Sequence, residues 1–391
     1  MTGCRATRYG CGIVAIHAQE AGLREFVGEL ARAAEEAGAG LATIFFSQDE
    51  VDPEDLAAAM AELAPSLSYA GCSTAGEMTP DGYGEGNLLA MLFPSDQFEA
   101  AATMIEEISS PGMEKVAASV TQLRRRLEAT AEPGTEDQIF AVLLIDGLSR
   151  AEEAVTSALY WRLDDIPLVG GSAGDNLHFE NTSLILNGRV RQDAAIVILV
   201  RSRVPFHIFK SENFIPTGQK LIVTASDPDQ RRVYEFNAET AADAYAAAIG
   251  IDAGALTPAS FASHPVVLRV GGEYYCRSIQ KLHPDGSLTF FCAIDDGIVL
   301  TLAQPKGMVD STREKLNEVE SMLGGIDVVL GFDCVLRRLD AQNRQSFRAI
   351  SELYRSRNVI GFGTYGEQYR SMHLNQTFTG IAFAAQRRAA E

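Results

Sequence analysis

Three stretches of the chain repeat one order of apolar and polar positions. In each, an apolar run leads into a helix-spaced pattern, a second apolar run follows, and a glycine-rich turn with an acidic residue precedes a third apolar run. The glycine turns cover residues 69–77, 168–176 and 360–368. The returning apolar runs cover residues 88–93, 194–200 and 379–384. Each repeat therefore predicts a strand, a helix, a strand, a glycine turn and a returning strand.

The segments before each turn give approximate bounds. First strands are predicted at residues 42–46, 142–145 and 328–330. Helices are predicted at residues 55–63, 152–161 and 344–354, and one more at 22–37. These elements predict an α/β protein with mixed sheets, built from three related units. Because repeated units stack their apolar faces, we expect the three glycine turns to gather near one edge or cleft.

Length and composition indicate a large folded core. The chain has 391 residues, 46% of them hydrophobic, which is enough material for two or three domains. Apolar runs reach only about half a dozen residues, well short of the roughly 20 needed to cross a bilayer, and no signal peptide is visible. The polar, turn-rich stretch 226–230 is the strongest candidate domain boundary.

The charge of the chain limits its partners, and its cysteine content indicates its cellular compartment. There are 33 Lys and Arg against 52 Asp and Glu, so the net charge is −19, which disfavours nucleic acid and anionic membranes as partners. The six cysteines follow no disulfide-framework spacing. We expect a cytoplasmic protein without disulfides.

Several ordered motifs resemble those of the FIST sensory family. They are the turns at 71–77 and 170–175, the segment 233–237, and the closing segments 364–367 and 375–377. The resemblance implies an extension of a strand and a helix over 1–37, a FIST N-terminal domain over 38–230 and a FIST C-terminal domain over 231–391. It also implies a ligand-binding module of signal transduction and no enzymatic activity.

Within that family, the stand-alone arrangement resembles the NosP group most. This implies haem b as cofactor, nitric oxide as ligand, and a partner histidine kinase or other signalling protein, with a homodimer as one arrangement. Nitric oxide would then weaken or displace an axial ligand and move the adjacent turn and strand. The alternative within the family is a haem-free sensor of small amino-acid-like ligands.

The haem hypothesis needs an axial ligand and cations for the propionates. His373 is the first candidate ligand, with Glu367 or Asn375 to orient it and Tyr365 in the adjoining turn. The alternatives are His178 and His207, and the latter has the more apolar neighbourhood. Candidate cations are Arg344 and Arg348, which share a helical face with Arg355 by spacing. A solvated helix face explains these arginines equally well.

The glycine turns are candidate ligand-binding segments because small residues let backbone N–H groups approach a ligand closely. Cys72 is either a thiolate ligand or a small packing residue. The candidate residues are Gly71, Cys72, Ser73, Thr74, Gly76, Glu77, Gly170, Gly171, Ser172, Gly174, Asp175, Gly363, Thr364 and Gly366.

A hydrolase is the last alternative. Residues 170–174 fit the string Gly-x-Ser-x-Gly, which would make Ser172 a nucleophile with His178 or His207 as base. The carboxylate behind the base would be Asp146 or Asp175. A nucleophile elbow requires a helix after the serine, whereas residues 176–187 predict a loop and a strand. The sequence therefore favours a sensor over an enzyme.

Overall fold

A computed structural model describes residues 3–19, 22–110, 113–129 and 138–385. Within these ranges the α-helices are α1 Leu23–Ala37, α2 Pro53–Leu63, α3 Met113–Glu128, α4 Glu152–Leu163, α5 Ala241–Ile249, α6 Pro258–Ser263, α7 Met308–Leu323, α8 Val335–Asn343 and α9 Phe347–Ser356. One short 3-10 helix covers Ala253–Ala255. None of these helices is long and apolar enough to cross a membrane.

Strands make up most of the rest of the described chain. They are β1 Arg5–Arg8, β2 Val14–Gln19, β3 Ala39–Phe46, β4 Ser68–Ser73, β5 Glu77–Thr79, β6 Gly82–Gly84, β7 Asn87–Pro94, β8 Phe98–Glu106, β9 Gln138–Asp146, β10 Leu168–Ala173, β11 Leu184–Leu186, β12 Arg189–Arg191, β13 Ala194–Ser202, β14 Phe206–Glu212, β15 Phe214–Asp227, β16 Arg232–Phe236, β17 Glu239–Thr240, β18 Val266–Val270, β19 Glu273–Arg277, β20 Ile279–Leu282, β21 Leu288–Phe290, β22 Val299–Pro305, β23 Ile326–Cys334, β24 Val359–Thr364, β25 Glu367–Tyr369, β26 Met372–Leu374 and β27 Thr377–Ala384.

The three predicted units are present, and the mixed α/β fold is confirmed. In each unit the first two strands are parallel with helix between them, and the returning strand lies antiparallel to the first. Local signals set these elements: α2, for example, begins after Asp52, whose side chain accepts the Glu54 N–H at 2.8 Å, with Pro53 at the first helical position. The strand sets are β3, β4 and β7 in the first unit, β9, β10 and β13 in the second, and β23, β24 and β27 in the third.

The units exchange the hairpins that follow their glycine turns. The hairpin β5–β6 of the first unit pairs with β24 of the third, and the hairpin β25–β26 of the third pairs with β10 of the second. The hairpin β11–β12 of the second unit completes the cycle by pairing with β4 of the first. Each sheet is therefore extended by a strand from another unit, and the three sheets form an interlocked body.

Close approach between strands explains one glycine in each unit. Gly71, Gly170 and Gly361 each lie in the second strand of a unit. A Cβ built on any of them would fall deep inside van der Waals contact with a carbonyl oxygen of the parallel first strand. The oxygen belongs to Ile44 in the first unit and to Leu143 in the second. These positions accept no side chain because the neighbouring backbone occupies its space.

The arginine-bearing helix predicted at 344–354 is present as α9 but begins three residues later, and the predicted shared face of Arg344, Arg348 and Arg355 is wrong. Residues 344–346 separate α9 from α8, and Gln345 among them has a φ of 57°. A left-handed residue cannot continue a right-handed helix. Arg344 therefore lies at the end of one helix, and Arg348 and Arg355 lie on the next, so the three do not share a helical face.

The largest apolar cluster lies between the sheets of the three units. The rings of Phe45 of the first unit and Phe362 of the third are tilted by 31° with centroids 4.6 Å apart, and Phe140 of the second unit meets Phe383 of the third at 5.8 Å. A fourth sheet follows the order β19-β18-β22-β15-β16-β21-β20. Its two edge strands, β19 and β20, are separated in the chain by Ser278 alone. The two edges must therefore lie close together, which requires a curled sheet. Helix α5 packs against this sheet.

Replacing Gly170 by alanine tests the strand packing. We expect a loss of about 3 kcal/mol or more in the free energy of unfolding, or no folded protein, because the new methyl group collides with the Leu143 carbonyl. The matched control is Gly28→Ala in α1, where a Cβ meets nothing within 4 Å. This control should keep or raise stability by about 0.5–1 kcal/mol. Thermal unfolding followed by circular dichroism checks both, and equal melting temperatures would contradict the packing argument.

Candidate functional site

The three glycine turns meet at one buried junction, as their repetition predicts. The Ala75 N–H donates to the Gly363 carbonyl at 2.8 Å, and the Gly363 N–H donates to the Gly76 carbonyl at 2.6 Å. The Ser172 N–H donates to the Gly366 carbonyl at 2.8 Å, which joins the second turn to the third. These N–H groups hold the turns to one another, so they are not the open ligand cradle that the glycine pattern suggested.

Glu367 fastens the return strand of the third unit. The Thr364 hydroxyl donates to one carboxylate oxygen, and the other oxygen accepts from the Thr377 N–H at 3.2 Å and the Thr377 hydroxyl at 2.6 Å. Thr377 is the first residue of β27. The carboxyl group is fully buried, and burial raises the pKa of Glu367 to about 8. Its role in this structure is to tie the glycine turn to the strand that returns.

Glu77 repeats the arrangement in the first unit. The Thr74 hydroxyl donates to one oxygen, and the other accepts from the backbone and side-chain N–H groups of Asn87 at 3.0 and 3.3 Å. Asn87 is the first residue of β7. Burial raises the pKa of Glu77 to about 7, although the charge of Arg338 opposes the change.

The second unit uses a different acid for the same task. Asp146 accepts the Asp193 N–H at 2.6 Å, just before β13, and the hydroxyl of Thr182. Asp175, the acid of the glycine turn itself, accepts three backbone N–H groups of the loop that follows, between 2.7 and 2.9 Å, and the hydroxyl of Tyr365. Sequence reasoning took Asp175 for a ligand group and either acid for the carboxylate of a hydrolase, because spacing alone does not show that they bond the chain itself.

His373 is enclosed by the protein. The residue is 3% exposed, its Nδ1 lies 3.2 Å from the Gln368 side-chain nitrogen, and a Cβ on Gly366 would lie 2.9 Å from its Nε2. An iron atom would have to sit about 2 Å from one of these nitrogens. Neither Glu367 nor Asn375 makes a side-chain hydrogen bond to it among the described contacts. Burial lowers the pKa of His373 to about 4. The Nε2 atom is buried without a hydrogen-bond partner among the described contacts. The residue is almost fully enclosed, so haem iron could reach this nitrogen only if the surrounding residues moved.

The arginines of residues 337–357 do not form one cationic patch. Arg344 pairs with Asp340 at 2.8 Å, and Arg348 lies exposed on the next helix. The remaining members also have carboxylate partners: Arg337 with Asp333, Arg338 with Glu85, Arg355 with Glu352 and Arg357 with Glu320. Ion pairing leaves little free charge here to attract a propionate.

The hydrolase residues are not assembled. Ser172 has no exposed surface, and its hydroxyl oxygen accepts from the Gln368 side chain at 2.9 Å. His178 is exposed and lies 3.2 Å from Asp49.

Cys72 is fully buried, which raises its pKa well above the usual value, so its thiol is a packing group in this structure.

His207 lies at an open site instead. It is on β14, an edge strand, and lines two adjoining cavities of about 1250 and 480 Å³. We call this pair of cavities the His207 groove; its two parts share Tyr160, His207, Ile208 and Arg370. Partial burial lowers the pKa of His207; the charge of Glu318 opposes this change, and the charges of Lys315 and Arg370 add to it. The imidazole is therefore neutral at pH 7 and able to bind a ligand.

The wall of the larger cavity is aromatic. Phe206 and Trp161 line it, and Trp161 is the single tryptophan of the chain and 73% exposed. Sequence reasoning had weighed His207 for its apolar neighbours but overlooked Trp161 and Arg370. The single tryptophan of the chain, at the end of the helix predicted at 152–161, was a usable signal, because tryptophan is enriched at binding surfaces.

Family models match most of the chain. The FIST N domain matches residues 40–239, and the FIST C domain matches residues 241–370. The chain belongs to the FIST family. FIST domains have a sensory, ligand-binding role in signal transduction. The chain is also 21% identical over 369 residues to an uncharacterised protein of Methanocaldococcus jannaschii, an alignment that covers 83% of this chain and 69% of that protein. The predicted division between residues 230 and 231 lies nine residues before the end of the FIST N match and stays a prediction.

Substituting Glu367 by glutamine tests its protonation state. Because the folded state holds this proton more tightly than the unfolded state, wild-type stability should fall as the pH rises from about 4.5 to about 8. Glutamine imitates the protonated carboxyl, so Glu367→Gln should become more stable than wild type at pH 9 by on the order of 2 kcal/mol, and differ little at pH 5.

Urea unfolding at pH 5, 7 and 9 measures this difference. Glu239→Gln, at an exposed position, is the matched control and should follow the wild-type curve. Parallel pH curves for wild type and Glu367→Gln would show that the buried carboxyl is not protonated at neutral pH.

Proposed function

We propose that this FIST protein is a haem-binding nitric oxide sensor that regulates a partner histidine kinase, with the His207 groove as the haem site. One observation carries the proposal: a neutral histidine with no hydrogen bond or ion pair to a described residue lines a cavity of about 1250 Å³ beside exposed aromatic side chains. The choice of haem and of a kinase partner comes from the resemblance to the NosP group.

The groove meets the main requirements of a haem site. His207 offers an imidazole nitrogen, Trp161 and Phe206 offer apolar faces, and Arg370 offers a positive charge. The larger cavity exceeds the size of ordinary small-molecule pockets, so a tetrapyrrole fits by volume. His373, the first candidate from the sequence, is 3% exposed and lines neither cavity of the groove.

Haem iron, when bound, supplies the centre to which nitric oxide coordinates. The protein's part is to hold the imidazole, exclude water with the aromatic wall and link the ligand to strand pairing. His207 lies opposite Ala382 in the register of β14 and β27, and β27 is the return strand that Glu367 fastens. A shift of His207 would act on that strand, to the extent that the ligand binds the two arrangements with different affinity.

A second candidate is a sensor of amino-acid-like ligands, favoured by another cavity. This cavity, of about 340 Å³, is lined by Arg5, His17 and Asp81. Asp81 lies 2.9 Å from Arg5 and 3.1 Å from His17. An amino acid would replace this ion pair: its carboxylate would bind the Arg5 guanidinium, and its ammonium group would bind the Asp81 carboxylate.

Haem titration tests the first candidate. Bound haem should quench Trp161 fluorescence and give a sharp Soret band that shifts with nitric oxide. His207→Ala should lose the sharp band, because the iron loses its protein ligand. His178→Ala is the matched control, since His178 is exposed elsewhere, and it should behave as wild type.

His373→Ala completes the series and should keep the Soret band if it folds, as judged by circular dichroism. Loss of the band in His373→Ala together with its survival in His207→Ala would contradict the groove as the haem site. A wild-type spectrum equal to that of free haem would contradict the haem function.

A thermal-shift screen of the common amino acids tests the second candidate. A binding amino acid should raise the melting temperature by several degrees at 100 times its dissociation constant. Asp81→Asn should abolish the shift because the ammonium loses its counter-charge, whereas Asp285→Asn, at an exposed hairpin turn of the fourth sheet, should retain it. The absence of a shift with every amino acid would contradict this candidate.

A further inference from the structure

The cations around the His207 groove differ in their ion pairs. Four arginine or lysine side chains line its two cavities, and three of them have a carboxylate partner: Arg124 with Asp164 at 2.7 Å, Lys210 with Glu212 at 2.7 Å, and Lys315 with Glu318 at 2.5 Å. Arg370 is the fourth. Within the described ranges its guanidinium has no carboxylate partner, and its carbon CZ lies 5.4 Å from the centroid of the Tyr369 ring.

The position of Arg370 in the fold gives it access to both cavities. It stands at the tip of the exchanged hairpin β25–β26, with an exposed side chain. Its φ is 55°, a left-handed conformation that costs an arginine free energy, and its N–H donates to the Leu168 carbonyl at 2.8 Å. The second unit therefore holds the backbone of this residue in place, while the guanidinium has no carboxylate partner among the described residues.

We propose that Arg370 is the anion anchor of the groove, and that the groove's ligand is a planar aromatic molecule that carries a carboxylate. The inference rests on the proposed function, since it takes the His207 groove as the ligand site. A guanidinium without a partner binds a carboxylate through two parallel hydrogen bonds. In a chain of net charge −19, an unpaired cation inside a cavity is the natural point of attachment for an anion.

The other groups of the groove agree with this class of ligand. Trp161 and Phe206 provide flat apolar faces on which an aromatic body can stack. The acids Asp165 and Glu273 also line the cavities, one in each. Their negative charges disfavour a ligand carboxylate beside them. The carboxylate of the ligand therefore binds at the hairpin tip, where Arg370 lies.

The experiment compares two probes by quenching of Trp161 fluorescence: haem b, and its dimethyl ester, which has no free carboxylate. Wild type should bind haem b about tenfold or more tightly than the ester. Arg370→Gln should lose this preference by weakening haem b alone, and Arg370→Lys should recover part of it. Arg348→Gln is the matched control, because Arg348 is likewise exposed and without a carboxylate partner among the described contacts, but lies on α9.

The outcomes separate the anchor from the haem function. Equal binding of haem b and the ester by wild type, or an Arg370→Gln variant that keeps the preference, would overturn the anchor while leaving His207 ligation intact. Arg370-dependent binding of iron-free protoporphyrin, with no spectral sign of an iron ligand, would support the anchor and overturn the haem function. Absence of quenching by every porphyrin would overturn both.

Discussion

The exchange of hairpins between the three units is the constraint on which the rest of the structure depends. Each glycine turn sends the chain out of its own sheet and onto the edge of another, so the turns must cross at one point. That crossing forces backbones of different units together: a Cβ built on Gly363 would lie 2.5 Å from the Ala75 carbonyl oxygen. It also means that no unit completes its sheet alone, and we expect the three to fold as one body.

The buried acids follow from the same crossing. A chain that turns into the interior leaves backbone N–H groups where water cannot reach them, and an unsatisfied buried group is costly. Glu77, Asp146 and Glu367 each accept the N–H of a residue at or just before the start of a return strand. Burial raises the pKa of Glu77 to about 7 and that of Glu367 to about 8. These acids resemble ligand-binding residues in the sequence, but their hydrogen bonds stabilise the fold.

The proposed ligand site accordingly lies further out, at the tip of a hairpin and not at its base. The hairpin β25–β26 carries Arg370 at its tip and Gln368 and His373 along its strands. Gln368 donates to Ser172 at 2.9 Å, and Arg277 of β19 donates to the His373 carbonyl at 3.2 Å. A ligand held at the tip therefore acts on an element that touches both the second unit and the fourth sheet. This is a physical route from the groove to a distant surface, and its use depends on two arrangements of the hairpin.

The sequence by itself determined the local structure of this protein. Apolar runs and glycine turns predicted the strands of all three units, and the repeated order predicted both the α/β class and the meeting of the turns. It failed where a single backbone angle decided the outcome: Gln345 has a positive φ, so the helix that spacing began at Arg344 begins at Phe347 instead. The tertiary structure decided which side chains are accessible to a ligand and which are buried or hydrogen-bonded within the fold. Sequence order shows neither that Glu367 bonds its own return strand nor that His373 is enclosed, because both depend on strands from other units. His207 and Arg370 are 163 positions apart, and the exchange of hairpins is what brings them to one groove.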